Sequence, residues 1–428
     1  MTKPLRLGIA GLGTVGVGVI KIIQNKLSLL EARTGKQILI SAVTAKSKTK
    51  DRGVDLSSYQ WERDPISLAA REDIDVFIEL IGGHEGAAKD AVEIAISKGK
   101  NVITANKALL AHHGHKLALK AEENGSIIRF EAAVAGGIPV IKSLTEGLAG
   151  NSINRIMGVM NGTCNYILTR MESSGLSYEE VFSEANELGY LEADPNLDIG
   201  GIDAAHKLSI LSSIAFGTEI NFNGIEIDGI DKITINDIHQ AADMGFRIKL
   251  LGVSQMTSSG LEQKMSPCLV PTTSPLGQLE GGTNMIVIEG DQVGQIVLRG
   301  AGAGEGPTAS AVISDVMDLA RGISVATFGQ PAKTLIKASS SKSQTPAPYY
   351  LRMLLHDEPG ALAKITKILS QFNVSIDRMR QYGHEDENAP VLIVTHEISH
   401  EDLMTAIKEL PNAKVLKAQP LAIRIEVV

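Results

Sequence analysis

Short apolar runs alternate with longer stretches of helical periodicity over residues 1–130. The apolar runs predict buried strands at residues 5–10, 38–43, 76–81, 102–104 and 127–130. Helices are predicted after the first strand up to about residue 33, and over residues 86–98 and 109–123. Because strands that alternate with helices pair in parallel through right-handed crossovers, residues 1–130 are expected to form an α/β domain.

The rest of the chain is less regular. Residues 131–328 contain predicted helices and strands in mixed order, at 140–148, 178–188, 203–215, 285–289 and 295–298. This mixture predicts an α+β domain. Residues 339–348 have the serine- and proline-rich composition of an exposed linker, and residues 349–428 are long enough for a further module. Dividing 428 residues by about 150 also gives three domains.

Composition narrows the classes of function. A net charge of −8 at pH 7 and an aromatic content of 4% argue against nucleic acid as a partner. No apolar run reaches the roughly 20 residues of a membrane-spanning helix. A strand is predicted from residue 5, which leaves no space for a signal peptide. We therefore expect a cytoplasmic protein that acts on a small molecule, with no membrane partner.

Cysteine and histidine offer little metal chemistry. Cys164 and Cys268 are the two cysteines, too few for a disulfide framework or a cysteine-rich zinc site. His112, His113 and His115 lack the spacing of a zinc motif and lie in a predicted exposed helix. We interpret these three as surface histidines rather than as a transition-metal site.

A glycine-rich turn follows the first predicted strand and opens a helix. It contains Gly11, Gly13 and Gly16, with Thr14 and Val15 between the last two glycines. In a dinucleotide fingerprint, the first glycine makes the tight turn, the second admits the pyrophosphate and the third lets helix and strand pack closely. The N–H groups of the helix N-terminus then face the phosphates. The alternative is a tight turn without a ligand.

The segment after the second predicted strand bears on the choice of cofactor. No acidic residue follows that strand where one would bind a ribose 2′-hydroxyl, whereas Lys46, Lys48 and Lys50 are close by in the sequence. Lysines can bind a 2′-phosphate. The pattern therefore favours NADP over NAD, which remains an alternative, as does a solvated loop with no role in binding.

Carboxylates and a lysine are concentrated between residues 192 and 207. Glu192, Asp198 and Asp203 precede Lys207, and a Gly-Gly pair breaks regular structure between them. Asp203 and Lys207 are four residues apart in a predicted helix, so their side chains lie on one face. A carboxylate that orients an ammonium suits proton transfer. The alternative is a surface salt bridge.

These segments resemble the homoserine dehydrogenase family, and the resemblance covers nearly the whole chain. The family signature combines a glycine-aromatic pair, an Asp-Pro pair and a spaced Asp-Gly-Asp-Lys pattern, here within residues 185–207. Three further segments match in order: residues 104–107, 161–168 and 300–311. Leu191 and Cys164 depart from the family pattern, where a small residue and a threonine are usual.

The resemblance implies a fold and a reaction. The fold would be a Rossmann-type nucleotide domain over residues 1–130 and an α+β catalytic and dimerisation domain over residues 131–328. Its late helix, residues 307–322, would pack back on the nucleotide domain. The reaction would interconvert L-homoserine and L-aspartate 4-semialdehyde with NAD(P), on the route to threonine, methionine and isoleucine. A homodimer or homotetramer is expected.

Residue roles follow from the same resemblance. Lys207 would be the acid/base, and Lys107 would face both cofactor and substrate. Glu192, Asp198 and Asp203 would form the carboxylate cluster for the substrate's ammonium. Gly189 and Gly304 would contact the cofactor.

Residues 131–139 resemble the family's monovalent-cation loop. Glu131, Val134, Gly136 and Ile138 would hold a cation such as Na⁺, because a carboxylate and backbone carbonyls suit a hard cation. The alternative is a plain Gly-Gly-Pro turn.

Residues 349–428 resemble an ACT domain with βαββαβ order. An amino-acid effector would bind at the loop that contains Asp357 and Gly360, where a helix start offers free N–H groups. Threonine is the expected feedback inhibitor. A domain that serves only dimerisation is the alternative.

Two rival functions fit parts of the same pattern. An aspartate-semialdehyde dehydrogenase would need a thiolate nucleophile, for which Cys164 is the candidate. A non-catalytic nucleotide sensor would leave the carboxylate–lysine cluster without a role.

Overall fold

The structure is a computed structural model that describes residues 3–191, 194–341, 345–381 and 388–427. Across these ranges, no helix combines the length and the apolar character needed to cross a membrane.

The N-terminal domain is a six-stranded parallel sheet with helices on both faces. Its strands are β1 (Leu5–Ala10), β2 (Ile38–Thr44), β3 (Gln60–Trp61), β4 (Val76–Glu79), β5 (Asn101–Thr104) and β6 (Ile128–Arg129). Its helices are α1 (Thr14–Thr34), α2 (Pro65–Ala70), α3 (Ala87–Ser97) and α4 (Lys107–Glu123). The strand order β3-β2-β1-β4-β5-β6 is that of doubly wound dinucleotide-binding folds, so the predicted α/β class is confirmed.

The second region has mixed elements. Its helices are α5 (Val140–Lys142), α6 (Gly162–Ser174), α7 (Tyr178–Glu187), α8 (Pro195–Ile199), α9 (Ile202–Phe216), α10 (Ile235–Asp243) and α11 (Glu305–Arg321). Its strands are β7 (Ile153–Val159), β8 (Glu226–Ile227), β9 (Phe246–Thr257), β10 (Gly260–Pro271), β11 (Thr283–Gly290), β12 (Gly294–Ala301) and β13 (Ser340–Ser341). Sequence patterns did not predict α6, β7, β9 or β10.

The structure differs from the sequence prediction in two segments, the helix predicted over residues 140–148 and the linker predicted over residues 339–348. Residues 140–148 begin as α5 but continue as a π-helical turn over Ser143–Gly147, in which the Leu148 N–H donates to the Ser143 carbonyl at 2.7 Å. Within residues 339–348, β13 pairs in parallel with β10, and residues 342–344 lie outside the described ranges.

Helix α11 returns to the N-terminal domain and packs on α1. Lys21 of α1 forms an ion pair with Glu305 of α11 at 2.8 Å. Gly18 allows the close approach, because a Cβ there would lie 2.9 Å from the Cβ of Ala309. Two segments that are distant in the sequence thus form one interdomain contact.

The C-terminal region contains β14 (Tyr349–His356), α12 (Ala361–Gln371), β15 (Ile376–Gln381), β16 (Asn388–Thr395), α13 (His400–Glu409) and β17 (Leu421–Ile425). This order confirms the predicted βαββαβ arrangement.

The C-terminal sheet continues the sheet of the second region. Strand order runs β12-β11-β7-β9-β10-β17-β14-β16-β15, and β10 and β17 pair in parallel. Tyr350, Ile423 and Ile425 belong to the same buried core as Ile248 and Leu250 of β9. Helices α12 and α13 pack on the other face of the C-terminal strands, where they form a separate apolar core.

Candidate active site

A cleft of about 710 Å³ lies between the N-terminal domain and the second region, and we call it the interdomain cleft. Many residues singled out from sequence line it, namely Thr14, Val15, Lys107, Gly136, Gly189, Asp198, Asp203, Lys207 and Gly304. Others do not line it: Gly11, Gly13, Gly16, Lys46, Glu131, Val134, Ile138, Asp357 and Gly360. The fold therefore brings together motifs that lie far apart along the chain.

Asp203 joins the two lysines singled out from sequence. It lies one turn before Lys207 on α9, with its Oδ2 2.7 Å from Lys207 Nζ, and its Oδ1 is 2.9 Å from Lys107 Nζ. Burial alone would raise the pKa of this carboxyl, but the charges and hydrogen bonds of Lys207 and Lys107 hold the pKa well below its usual range. The Asp203–Lys207 pair is buried, so it is not an exposed surface salt bridge.

Lys107 reaches Asp203 from the first residue of α4. The side chain of Asn106 caps this helix by accepting an N–H of its first turn at 3.0 Å. The Asn106 N–H in turn donates to Thr104 Oγ1 at 2.9 Å, and that hydroxyl donates to the buried Glu79 carboxylate at 2.6 Å. These contacts fix the strand-to-helix turn from which Lys107 extends.

Asn161 links a helix cap to the carboxylate cluster. Its Oδ1 accepts the Cys164 N–H at 2.8 Å, which caps α6. Its Nδ2 donates to Asp198 Oδ1 at 2.8 Å and to Asp203 Oδ2 at 3.0 Å. The start of α6 therefore holds the two carboxylates in one orientation.

The glycine-rich turn lies at the start of α1, beside the cleft. Gly11 has a φ of +100°, a backbone conformation that glycine adopts without strain. Gly16 packs so closely that a Cβ there would lie 2.0 Å from the Gly11 carbonyl oxygen. Gly13 precedes α1 with open space around it, and Thr14 and Val15 line the cleft. The turn thus has room for a phosphate group at a helix N-terminus.

The loop after β2 is organised by an arginine that sequence reasoning missed. Arg52 donates to the Leu12 carbonyl at 3.1 Å, the Ser47 carbonyl at 2.6 Å and the Lys50 carbonyl at 2.8 Å. Lys46 is exposed in the same loop. Positive charge therefore borders the glycine-rich turn.

The segment after α7 forms one wall of the cleft. Gly189, Tyr190 and Leu191 line it, and Thr163 Oγ1 donates to the Tyr190 carbonyl at 3.0 Å. Glu192 lies outside the described residues.

Family models match most of the chain. The model described as the NAD-binding domain of homoserine dehydrogenase matches residues 11–131, the homoserine dehydrogenase model matches residues 139–317, and the ACT domain model matches residues 349–412. A homoserine dehydrogenase of Neisseria gonorrhoeae is 41% identical, with 99% of each chain covered. The chain belongs to the homoserine dehydrogenase family. It is an oxidoreductase that acts on a CH–OH group.

Other homoserine dehydrogenases show the same extent of similarity. The Bacillus subtilis enzyme is 38% identical over 99% of both chains. A crystal structure of a homoserine dehydrogenase from Thiobacillus denitrificans superposes with a TM-score of 0.93 at 37% identity, covering 99% of each chain. A hyperthermophilic archaeal homoserine dehydrogenase in complex with NADPH has a TM-score of 0.63 at 27% identity, covering 74% of this chain and 97% of its own.

Membership of the homoserine dehydrogenase family excludes the two rival functions. Cys164 is fully buried, and burial raises the pKa of its thiol well above the usual value. Its Sγ also donates to the Asp198 carbonyl at 3.2 Å, so it does not serve as an exposed thiolate. Full-length similarity to homoserine dehydrogenases excludes the non-catalytic sensor.

The turn that resembles the cation loop of homoserine dehydrogenases uses its carboxylate as a helix cap. Glu131 is buried, and its two oxygens accept the N–H groups of Ile141 and Lys142, each at 2.9 Å. Burial, with the nearby charge of Asp315, raises the pKa of Glu131 to about 7. The carboxylate is therefore engaged by two backbone donors of the following helical turn.

Histidine rings cluster beside the carboxylates. His112 lies between His84 and His206, with ring centroids 4.4 and 5.6 Å away. Burial lowers the pKa of His206 to about 4, with a further contribution from His112. His115 contacts the Ala332 carbonyl at 3.1 Å. In the parts of the chain that the structure describes, no group of three or more His, Cys, Asp or Glu side chains could hold a metal ion.

The predicted effector loop lies at the start of α12 in the C-terminal domain. Gly360 precedes this helix with a φ of +84°, and Asp357 is exposed in the loop before it. The family model for ACT domains includes both residues.

Proposed function

We propose that Lys207 is the acid/base group in the interconversion of L-homoserine and L-aspartate 4-semialdehyde, with Lys107 beside it in the cleft. The observation that carries this proposal is the buried Asp203 carboxylate held between the two ammonium groups. A bound NAD(P) supplies or accepts the hydride, so the protein must orient the substrate and move one proton. An ammonium near the substrate oxygen both stabilises its negative charge and donates that proton.

Lys207→Ala is expected to lower kcat by at least about 100-fold, the usual share of acid–base catalysis. The measurement is NADP reduction, followed by absorbance, with L-homoserine as substrate. Lys100→Ala is a matched control, because Lys100 is also buried and donates to a backbone carbonyl, that of Ala69 at 2.6 Å, but lies away from the cleft. A near-normal kcat for Lys207→Ala would remove Lys207 from the mechanism.

We further propose that the substrate's ammonium binds to the carboxylate cluster of Asp198 and Asp203, with Glu192 as its third member. Support comes from the position of the first two in the cleft. Gly189, Gly304, Thr14 and Val15, which line the same cleft, would contact the cofactor.

NADP is proposed as the preferred cofactor. Support comes from the exposed Lys46 in the loop after β2 and from the Arg52 guanidinium beside the glycine-rich turn, since such positive charges suit a 2′-phosphate. The test is the ratio of kcat/KM for NADP and NAD. Equal values, or a preference for NAD, would contradict the proposal.

A monovalent cation such as Na⁺ is proposed at the turn after β6. Its ligands would be backbone carbonyls of Glu131, Val134, Gly136 and Ile138, which suit a hard and weakly bound ion. Replacing Na⁺ by a bulky organic cation at constant ionic strength should lower the melting temperature. An unchanged melting temperature would indicate a plain turn that binds no cation.

Threonine is proposed as a feedback inhibitor that binds near Asp357 and Gly360, and the active unit is proposed to be a homodimer or homotetramer. The proposed inhibition predicts that L-threonine slows homoserine oxidation and that Asp357→Ala abolishes this effect. The proposed oligomeric state is tested by the molar mass from light scattering during gel filtration. Threonine-insensitive activity would leave the ACT domain without this effector.

A further inference from the structure

The direction of the Lys207 ammonium is set by two acceptors. Its Nζ donates to Asp203 Oδ2 at 2.7 Å and to the Met160 carbonyl at 2.8 Å. An ammonium has three N–H groups, so these two bonds fix the direction of the third. The position of the Met160 carbonyl therefore decides where the remaining proton points.

The Met160 carbonyl has a second donor. Asn284, on β11, donates to it from Nδ2 at 3.1 Å. A carbonyl oxygen has two lone pairs, and Lys207 and Asn284 together use both. Met160 is fully buried between β7 and α6, so both hydrogen bonds to its carbonyl are shielded from solvent.

The Asn284 side chain is tightly packed at the edge of the cleft. It is 1% exposed and lies against Gly302, where a Cβ would approach the amide carbon to 2.1 Å. A Cβ on Gly162 would lie 3.5 Å from its Oδ1. Among the described residues, this Oδ1 has no hydrogen-bond partner. The hydrogen bond of this amide therefore runs from its Nδ2 to the Met160 carbonyl.

We propose that Asn284 is a positioning residue that aims the third N–H of Lys207 at the reacting oxygen of the substrate. This inference rests on the acid/base role of Lys207 proposed above. Asn284 acts through the Met160 carbonyl: it keeps that oxygen in place, the carbonyl holds one N–H of Lys207, and the third N–H faces the cleft. Small displacements of a reacting group cost large factors in rate.

Asn284→Ala is expected to lower kcat by about 10- to 100-fold, while the Kd for NADPH, measured by fluorescence, stays within about twofold. The solvent deuterium isotope effect on kcat should increase, because proton transfer becomes slower than the other steps. Gln263→Ala is the matched control: Gln263 is also a buried amide without partners among the described residues, on β10 of the same sheet, and does not line the cleft. An unchanged kcat in Asn284→Ala, or an equal loss in both variants, would overturn the proposal.

A double-mutant cycle separates this proposal from the one on which it rests. If Asn284 acts through Lys207, adding Asn284→Ala to Lys207→Ala should lower kcat no further. An additional loss of about 10-fold would place the action of Asn284 elsewhere and overturn the positioning role. Near-normal activity of Lys207→Ala would overturn the acid/base assignment and this proposal with it. An inactive Lys207→Ala beside a normal Asn284→Ala would overturn the positioning role alone.

Gly302→Ala provides a second route should Asn284→Ala fold poorly. The added methyl group would displace the Asn284 amide without removing it. The same fall in kcat and rise in solvent isotope effect are expected. A normal kcat, with the amide shown to have moved by a crystal structure, would contradict the proposal.

Discussion

Asp203 is a single carboxylate shared by three donors. It accepts hydrogen bonds from Lys207 and Asn161 and forms an ion pair with Lys107. Asp198 accepts from the same Asn161 amide and adds a second carboxylate beside the two ammonium groups. In the proposed mechanism, the ammonium groups of Lys207 and Lys107 would stabilise the negative oxygen that develops when the aldehyde is reduced.

Individual site residues differed in how far the sequence predicted them. The four-residue spacing predicted that Asp203 and Lys207 share a helix face, whereas the role of Lys107 came only from family resemblance. Asn161 could have been predicted as a capping residue, because an asparagine immediately before a helix is a local N-cap signal. Asn284 had no such signal, because its partner Met160 is 124 residues away.

Acid should destabilise the protein through His206. The pKa of this histidine is about 4 in the folded protein, against an ordinary value of 6.5, so the unfolded chain binds the proton first. Its contribution to stability is complete above pH 6.5 and is lost as the pH falls towards 4. At pH 5 the loss is about 2 kcal/mol.

His206→Gln should therefore lose less stability than the wild type when the pH is lowered from 7 to 5, measured by thermal or urea unfolding. His239→Gln, at an exposed position on α10, is the control and should follow the wild type. Parallel curves for His206→Gln and the wild type would contradict the prediction.

At the scale of elements, periodicity predicted the N-terminal domain best. Its strands are short apolar runs between amphipathic helices, so each element has a distinct pattern. The long strands β9 and β10 were missed because most of their residues are buried on both faces, and alternation of apolar and polar residues is then hidden. The π-helical turn after α5 has no periodicity of its own to detect.

The contact of α1 with α11 should be sensitive to one methyl group. In Gly18→Ala, the new Cβ would lie within 3.0 Å of Glu305 and Ala309, so α11 must shift. We expect a loss of about 1–3 kcal/mol in stability, as for other overpacked sites. The KM for NADP should also rise, because Gly304 and Thr308 at the start of α11 line the cleft.

Gly306→Ala in the same helix is the control, since nothing lies within 4 Å of the Cβ it would gain. Its melting temperature should equal or exceed that of the wild type. Equal melting temperatures for Gly18→Ala and the wild type would show that the contact tolerates an extra methyl group.

At the scale of the whole molecule, the second region and the C-terminal region share one sheet and one core. Sequence composition instead suggested a linker and a detached C-terminal module, because serine and proline are frequent in residues 339–348. Composition carries no information on which sheet edges pair, and the β10–β17 pairing joins Cys268 to Arg424, far along the chain.

Removal of residues 339–428 should leave a chain that aggregates. It would expose the edge of β10 and the apolar side chains of β9 that pack on Tyr350 and Ile423, and free sheet edges are prone to association. Sedimentation and thermal unfolding of the shortened chain are the measurements. Asp357→Ala, which alters the effector loop but keeps β17, should remain folded. A monodisperse shortened chain with an unchanged melting temperature would contradict the prediction.

The pairing of β10 with β17 also has a consequence for biosynthesis. A ribosome completes Pro271 about 150 residues before it reaches Leu421, an interval of about 8–30 seconds at bacterial or eukaryotic rates. During that interval the nascent chain holds an unpaired strand edge beside an incompletely covered core. The sheet that contains β9 and β10 therefore cannot be completed until β17 has been synthesised. We expect chaperones to bind the nascent chain during this interval.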